Sequence, residues 1–184
     1  MPRQPTQFIK RHGAISRRLR NLGAFVAGIN KEEFPPLLPV GSHSFDLAGC
    51  RRLCLERFPG SVTRPEIMRN LERTIMQIHD HQISGDLWID GSFLTEKLNP
   101  GDVDVVWVIS RPVFESLSAK QRIFFEQFRD VPLISLRIDN YTLILDQTDL
   151  GEWMRAYWIR QFGFSRADDG KGILRISIPL TVTR

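Results

Sequence analysis

The stretch DLWIDGSFLTEKLNPGDVDVVWVIS, residues 86–110, contains the most informative pattern in the chain. Its apolar and polar residues predict a strand over 86–90, a loop over 91–101 and a largely buried strand over 102–109. A loop that is positioned by two strands is a common place for binding and catalytic residues. We therefore look for chemistry first in this strand–loop–strand unit.

Four residues of this unit form a pattern that suits a metal-bound nucleotide. Gly91 lets the backbone approach a phosphate, while neighbouring N–H groups and the Ser92 hydroxyl can donate to its oxygens. Asp102 and Asp104 are two residues apart at the start of a strand, so their side chains project from the same face. Adjacent carboxylates repel each other unless a cation lies between them, and magnesium prefers such oxygen ligands. The pattern predicts a phosphate-binding turn beside a magnesium site.

The rest of the chain predicts a mixed α+β fold, with a sheet of about five strands and flanking helices. Thr63 and Glu66 have the spacing of a helix capping box, and the pair Asp139-Asn140 suits the turn of a hairpin. The predicted helices run from Ser44 or Asp46 to about Phe58, over 64–80, from Ser118 to about Arg129, and from Asp149 to Gly163. The other predicted strands are 133–138, 141–146 and 173–180.

Composition excludes several classes of protein. The chain has 184 residues, of which 42% are hydrophobic, which is enough for a sizeable core and excludes wholesale disorder. No apolar run reaches the ~18 residues of a membrane-spanning helix. Two cysteines cannot form a disulfide framework or a four-thiolate zinc site. We expect a cytoplasmic protein with no membrane contact.

The positive charge is concentrated in an N-terminal extension. Residues 1–30 carry six Lys or Arg and no acid, whereas the remainder carries 19 bases and 21 acids. We divide the chain into a basic extension, residues 1–33, and a domain, residues 34–184. The extension is interpreted as a loosely docked tail, with a contact to nucleic acid or another partner and organellar targeting as alternatives.

The motif GSFLTEKLNPGDVDVV, residues 91–106, resembles the signature of the polymerase-beta-type nucleotidyltransferase superfamily. Within that superfamily it resembles a small group of bacterial and phage-associated nucleotidyltransferase-like proteins. Two further stretches resemble the same group: LLPVGSH at 37–43 and FGFSRADDGKGI at 162–173. The resemblance covers about residues 34–180 and implies a nucleotidyltransferase-like mixed sheet.

The resemblance implies specific roles for the motif residues. Gly91 and Ser92 would hold the phosphates of a nucleoside triphosphate, and Asp102 and Asp104 would bind Mg2+ and act in catalysis. Apart from the resemblance, Lys97 in the loop between Ser92 and Asp102 is a further candidate, either as a contact to the triphosphate or as a solvated loop lysine. We assign these five residues to the candidate site.

Enzymes of this superfamily usually have a third carboxylate on a neighbouring strand. We choose Asp146 as this catalytic acid, because Ile144 occupies the position where an acid is expected and Asp146 lies on the same face two residues later. Asp139, in the predicted turn, and the absence of any third acid are the alternatives. Lys171 is either a turn lysine or a phosphate contact.

We therefore expect a magnesium-dependent enzyme that transfers a nucleoside monophosphate from a nucleoside triphosphate to a hydroxyl of RNA or protein. The resemblance suggests a toxin–antitoxin or phage-defence module, with tRNA, another RNA or a partner toxin protein as the macromolecular partner. The alternative is a catalytically inactive binding module, such as an antitoxin or an assembly subunit. The position of the third carboxylate distinguishes the two.

Overall fold

The computed structural model describes residues 32–180, and these residues contain one mixed sheet of five strands. The strands are β1 (Gly41–Ser44), β2 (Gly85–Asp90), β3 (Val103–Ser110), β4 (Ile138–Leu145) and β5 (Gly172–Ile178). The helices are α1 (Leu47–Arg51), which continues as a π-helical turn (Arg52–Glu56), α2 (Arg64–Asp80), α3 (Arg111–Ser116), α4 (Ala119–Asp130) and α5 (Asp149–Phe162).

The strands lie in the order β1-β5-β2-β3-β4. β2 is antiparallel to both β3 and β5, whereas β3 is parallel to β4 and β1 is parallel to β5. The expectation of a mixed α+β fold with a five-stranded sheet and flanking helices is confirmed. Because β2, β3 and β4 are neighbours in this order, residues of the predicted site that lie on these strands come close together.

The two faces of the sheet are covered unequally, as the alternation of β3 illustrates. Val105 and Trp107 belong to a large apolar cluster with residues of α1, α2 and α4. Val106 and Val108 belong to a smaller cluster in which α5 contributes Met154, Trp158 and Phe162. The motif aspartate Asp104 lies on the second face, two residues before Val106.

Helix α2 spans the residues that its apolar period predicts, but it begins differently. Thr63 makes no capping hydrogen bond, so the predicted capping box with Glu66 is wrong. Ser61 supplies the oxygen instead, because the Arg64 N–H donates to its hydroxyl over 3.1 Å. Glu66 pairs with Arg137 at 2.7 Å.

The predicted hairpin around Asp139-Asn140 is also wrong. Both residues belong to the single strand β4, which follows a 3-10 turn over Ile134–Leu136. The buried Asn140 side chain accepts a hydrogen bond from the Leu133 N–H at 2.9 Å and thereby holds the segment that leads into β4. The fifth strand of the sheet is β1, in a segment for which the sequence predicts no strand.

The predicted basic extension, residues 1–33, lies outside the described residues except for its last two. Of these, Glu33 accepts hydrogen bonds through Oε1 from the backbone N–H groups of Arg166 and Ala167, at 2.9 and 3.2 Å. Between residues 32 and 180, no helix is both long enough and apolar enough to cross a membrane.

Candidate nucleotide site

The end of β2 and the start of β3 bring two carboxylates side by side. Asp90, the last residue of β2, is the antiparallel partner of Asp104 in β3. Paired residues project from the same face, with their Cβ atoms about 5 Å apart. Asp90 is almost completely buried, whereas Asp104 is half-buried.

Gly91 allows the carboxylate of Asp104 to lie against the backbone of the turn. Its φ is +83°, in the region that favours glycine, and a Cβ atom at this position would lie 2.1 Å from Asp104 Oδ2. Ser92 then begins a 3-10 turn that ends at Leu94. The structure thus brings the Gly91-Ser92 turn next to Asp104.

A third carboxylate lies on the other side of Asp104. Asp139 in β4 is the parallel register partner of Asp104, so their side chains share one face with the strands about 4.8 Å apart. The Tyr141 hydroxyl donates a hydrogen bond to Asp139 Oδ2 at 2.6 Å. Asp90, Asp104 and Asp139 therefore form a row across three neighbouring strands.

Asp146, chosen from the sequence as the third acid, is not part of this row, and that choice is corrected. It lies seven residues beyond Asp139 along β4, which corresponds to roughly 23 Å of extended chain. Arg111 donates to Asp146 Oδ2 at 2.5 Å, and the Thr148 hydroxyl and N–H donate to Oδ1. The hydrogen bond from Arg111, followed by those from Thr148, lowers the pKa of Asp146 to about 2. Asp146 is a structural anion at the opposite end of the sheet.

An open cleft of about 720 Å³ lies beside the acidic row. Asp102, Asp139 and Tyr141 contribute to its lining, together with the ion pair between Glu66 and Arg137. Asp102 is exposed and immediately precedes β3. The cleft gives solvent and solutes access to Asp102 and Asp139, whereas Asp104 is not part of its lining.

Lys171 supplies a positive charge at the end of the row. Its Nζ is 2.7 Å from Asp90 Oδ2, and the two side chains are only 14% and 5% exposed. The sequence alternatives for Lys171 were a turn lysine or a phosphate contact, and the structure places it beside the acids. Asp90 was not recognised from the sequence, although it directly precedes the Gly91-Ser92 pair.

The contacts of Lys97 are with Phe34 and Arg64. Its Nζ is 5.7 Å from the centre of the Phe34 ring, and its carbonyl accepts a hydrogen bond from Arg64. Its assignment to the triphosphate remains a prediction.

The chemistry of the acidic row suits a hard cation, because all its donors are carboxylate oxygens. Nevertheless, within residues 32–180 no three His, Cys, Asp or Glu side chains are already grouped closely enough to hold a metal ion. Asp104 and Asp139 of the row, together with Asp102 in the cleft, are the residues that would hold Mg2+, since Asp90 is paired with Lys171. Their side chains would have to converge when it binds.

Residues 31–177 match the Family of unknown function (DUF6932). The chain belongs to this family. No curated protein and no solved structure matches it significantly. The match to DUF6932 assigns no activity, so the resemblance to nucleotidyltransferases rests on the sequence motifs.

Proposed function

We propose that this DUF6932 protein is a nucleotidyltransferase that moves a nucleoside monophosphate from a nucleoside triphosphate to a hydroxyl of RNA or protein. The observation that carries the proposal is the register match of Asp104 with Asp139, beside a Gly91 turn in contact with Asp104. The acid that the motif requires on a neighbouring strand is then Asp139 instead of Asp146.

The proposed site has one group of residues that binds the phosphates and a second group that binds the metal ion. The backbone N–H groups around Gly91 and Ser92 hold phosphate oxygens, and Lys171 adds a positive charge next to them. Asp102, Asp104 and Asp139 would hold Mg2+ when it is bound, and the metal supplies charge neutralisation of the triphosphate.

The proposed reaction is an in-line displacement. The acceptor hydroxyl oxygen forms a bond to the α-phosphorus, the bond from that phosphorus to the bridging oxygen breaks, and pyrophosphate leaves. Asp139 takes the proton of the hydroxyl, since it lines the open cleft through which an acceptor can enter. The Tyr141 hydroxyl orients Asp139 by donating to Oδ2.

The second candidate function is a binding module that has the fold without the activity. This candidate is favoured because the acids lie apart from one another. Within the described part of the chain, no three of them form a group that could hold a metal ion. The toxin–antitoxin or phage-defence setting, the RNA or toxin partner and the cytoplasmic location are proposals that derive from the sequence resemblance.

The test is a transfer assay with each labelled nucleoside triphosphate, Mg2+, and co-purified RNA or neighbouring proteins. Wild-type protein should label a macromolecule and release pyrophosphate, while Asp104→Asn and Asp139→Asn should each lose the activity. Asp146→Asn is the control, because it also neutralises an aspartate next to β4 but lies at the opposite end of the sheet from the row. Activity that survives Asp104→Asn and Asp139→Asn, or no labelling with any triphosphate, would contradict the proposal and favour the binding module.

A further inference from the structure

The loop between the Gly91 turn and Asp102 is held by a fully buried cation. Arg64, the first residue of α2, has no exposed surface. Its guanidinium donates hydrogen bonds to the carbonyls of Phe93, Thr95 and Lys97 at 2.9, 2.7 and 2.7 Å. A fourth hydrogen bond of 2.7 Å goes to the carbonyl of Cys54, in the turn that follows α1.

The geometry of these contacts matches the planar fork of arginine. The three loop carbonyls belong to alternate residues, so one guanidinium fixes the path of a five-residue segment. The Phe58 ring lies 3.7 Å from the guanidinium carbon and covers one of its faces. Lysine has three donors on a compact ammonium and cannot reproduce this planar set of hydrogen bonds.

Asn99 fixes the far end of the same loop to the same helix start. Its Oδ1 accepts hydrogen bonds from the Ser61 hydroxyl at 3.1 Å and the Val62 N–H at 2.9 Å. The residues that precede and begin α2 therefore hold both halves of the loop. These hydrogen bonds hold the loop in one conformation. Burial disfavours the charged form of Arg64 and lowers its pKa to about 10.

We propose that Arg64, supported by Asn99, is a positioning residue that sets the loop over residues 91–99 so that the Gly91-Ser92 turn faces Asp104 in the geometry that binds nucleotide. The first part concerns loop order alone, and the second part rests on the proposed function. Arg64 touches neither the acids nor the phosphates, and acts through the main chain of the loop.

Loop order is tested by amide hydrogen exchange of the full chain at pH 7. In Arg64→Lys, protection of residues 92–99 should fall by about tenfold or more, the equivalent of one charge-assisted hydrogen bond, while β2 and β3 keep theirs. Because burial depresses the pKa of a lysine, the loop of this variant should lose further protection between about pH 6 and pH 9, unlike the wild type. Unchanged loop protection in Arg64→Lys would overturn the proposal.

Nucleotide positioning is tested by the affinity for each nucleoside triphosphate with Mg2+. The Kd of Arg64→Lys should rise by about tenfold or more, whereas two controls should keep the wild-type value. Arg51→Lys changes an exposed arginine that pairs with Glu72 of α2, and Ile78→Ala destabilises the far end of α2. Equal loss of affinity in Ile78→Ala would reduce Arg64 to a stability effect and overturn the positioning role.

The two tests separate the possible failures. If wild-type protein binds no triphosphate, the proposed function and the positioning role are both overturned, while the exchange experiment still decides the role of Arg64 in loop order. If Arg64→Lys does not fold, Asn99→Ala removes the second, exposed anchor of the same loop. A loop that loosens in Asn99→Ala without any rise in Kd would overturn the positioning role, and a parallel change in both would support it.

Discussion

At the scale of single residues, Gly91 has two reasons to be glycine, its positive φ and its contact with Asp104. Gly91→Ala should therefore destabilise the fold by roughly 1–3 kcal/mol through backbone strain and displacement of the carboxylate. It should also remove any rise in melting temperature that Mg2+ and nucleotide produce. Both effects can be measured by thermal unfolding with and without ligands.

Gly101→Ala is the matched control for this prediction. It lies in the same loop region, has no atom within 4 Å of an added Cβ and no positive φ. It should leave both the stability and the ligand response unchanged. A Gly91→Ala protein that behaves like Gly101→Ala would show that the turn adapts to a side chain.

The buried ion pair of Lys171 with Asp90 gives a second prediction at this scale. Lys171→Met leaves the carboxylate of Asp90 without this partner in a buried position, and should cost about 3 kcal/mol in the free energy of unfolding. The double variant with Asp90→Asn removes both charges and should recover part of this loss. Chemical denaturation of the single and double variants measures the coupling.

An exposed pair serves as the control. Arg160 and Asp168 are 49% and 74% exposed, so Arg160→Met should cost under about 1 kcal/mol. If Lys171→Met is equally mild, the pair with Asp90 contributes little to stability. Phosphate binding would then be the remaining role proposed for Lys171.

The sequence predicts the candidate site residues that are close together in the chain and misses those that are distant. Gly91, Asp102 and Asp104 follow from one motif, since glycine flexibility and strand alternation are local properties. The contact between Lys171 and Asp90 joins residues 81 positions apart. It depends on the pairing of β2 with β5, which no local pattern specifies.

At the scale of helices and strands, Asp146 connects three elements. It follows β4, pairs with Arg111 at the start of α3, and accepts hydrogen bonds from Thr148, which caps α5. Because the folded-state pKa, about 2, is below the value of about 3.9 for an unfolded chain, the carboxylate stabilises the fold above about pH 4. This stabilisation should be lost as the pH falls toward 2.

Unfolding titrations of wild type and Asp146→Asn from about pH 5 to pH 2 test this linkage. The wild type should lose stability more steeply than the variant over this range, and the two should converge at the acidic end. Arg111→Gln removes the main donor and should flatten the profile in the same direction. Parallel profiles for all three proteins would contradict the role of the hydrogen bond.

The elements themselves were predictable where the pattern was strong. Helix α2 follows from its apolar period, and the predicted helix start at Ser118 is confirmed, since Ser118 forms a capping box with Gln121 at the start of α4. The predicted hairpin is wrong because Asp139 and Asn140, which are common turn residues, lie within strand β4, where Asp139 accepts a hydrogen bond from Tyr141 and Asn140 accepts one from Leu133. β1 was missed because its sequence, GSHS, has no apolar alternation and its residues lie largely exposed at the sheet edge.

At the scale of the whole molecule, residues 1–30 and the rest of the chain have net charges of opposite sign. Removal of residues 1–30 should leave the melting temperature nearly unchanged, because both apolar clusters lie between residues 32 and 180. The deletion keeps Glu33, whose side chain accepts hydrogen bonds from the loop after α5. Circular dichroism and thermal unfolding measure the outcome, and an insoluble or unfolded product would show that the extension contributes to the core.

The same deletion tests whether the extension binds RNA. Six positive charges in contact with a single strand give a slope of up to about −4 for the logarithm of affinity against the logarithm of salt concentration. The deletion should bring the slope close to zero, because the remaining chain has no net positive charge to replace it. Replacement of Arg17, Arg18 and Arg20 by glutamine removes half of the charges without shortening the chain, and should roughly halve the slope. A slope that survives both changes would place the RNA-binding charges in the rest of the chain instead.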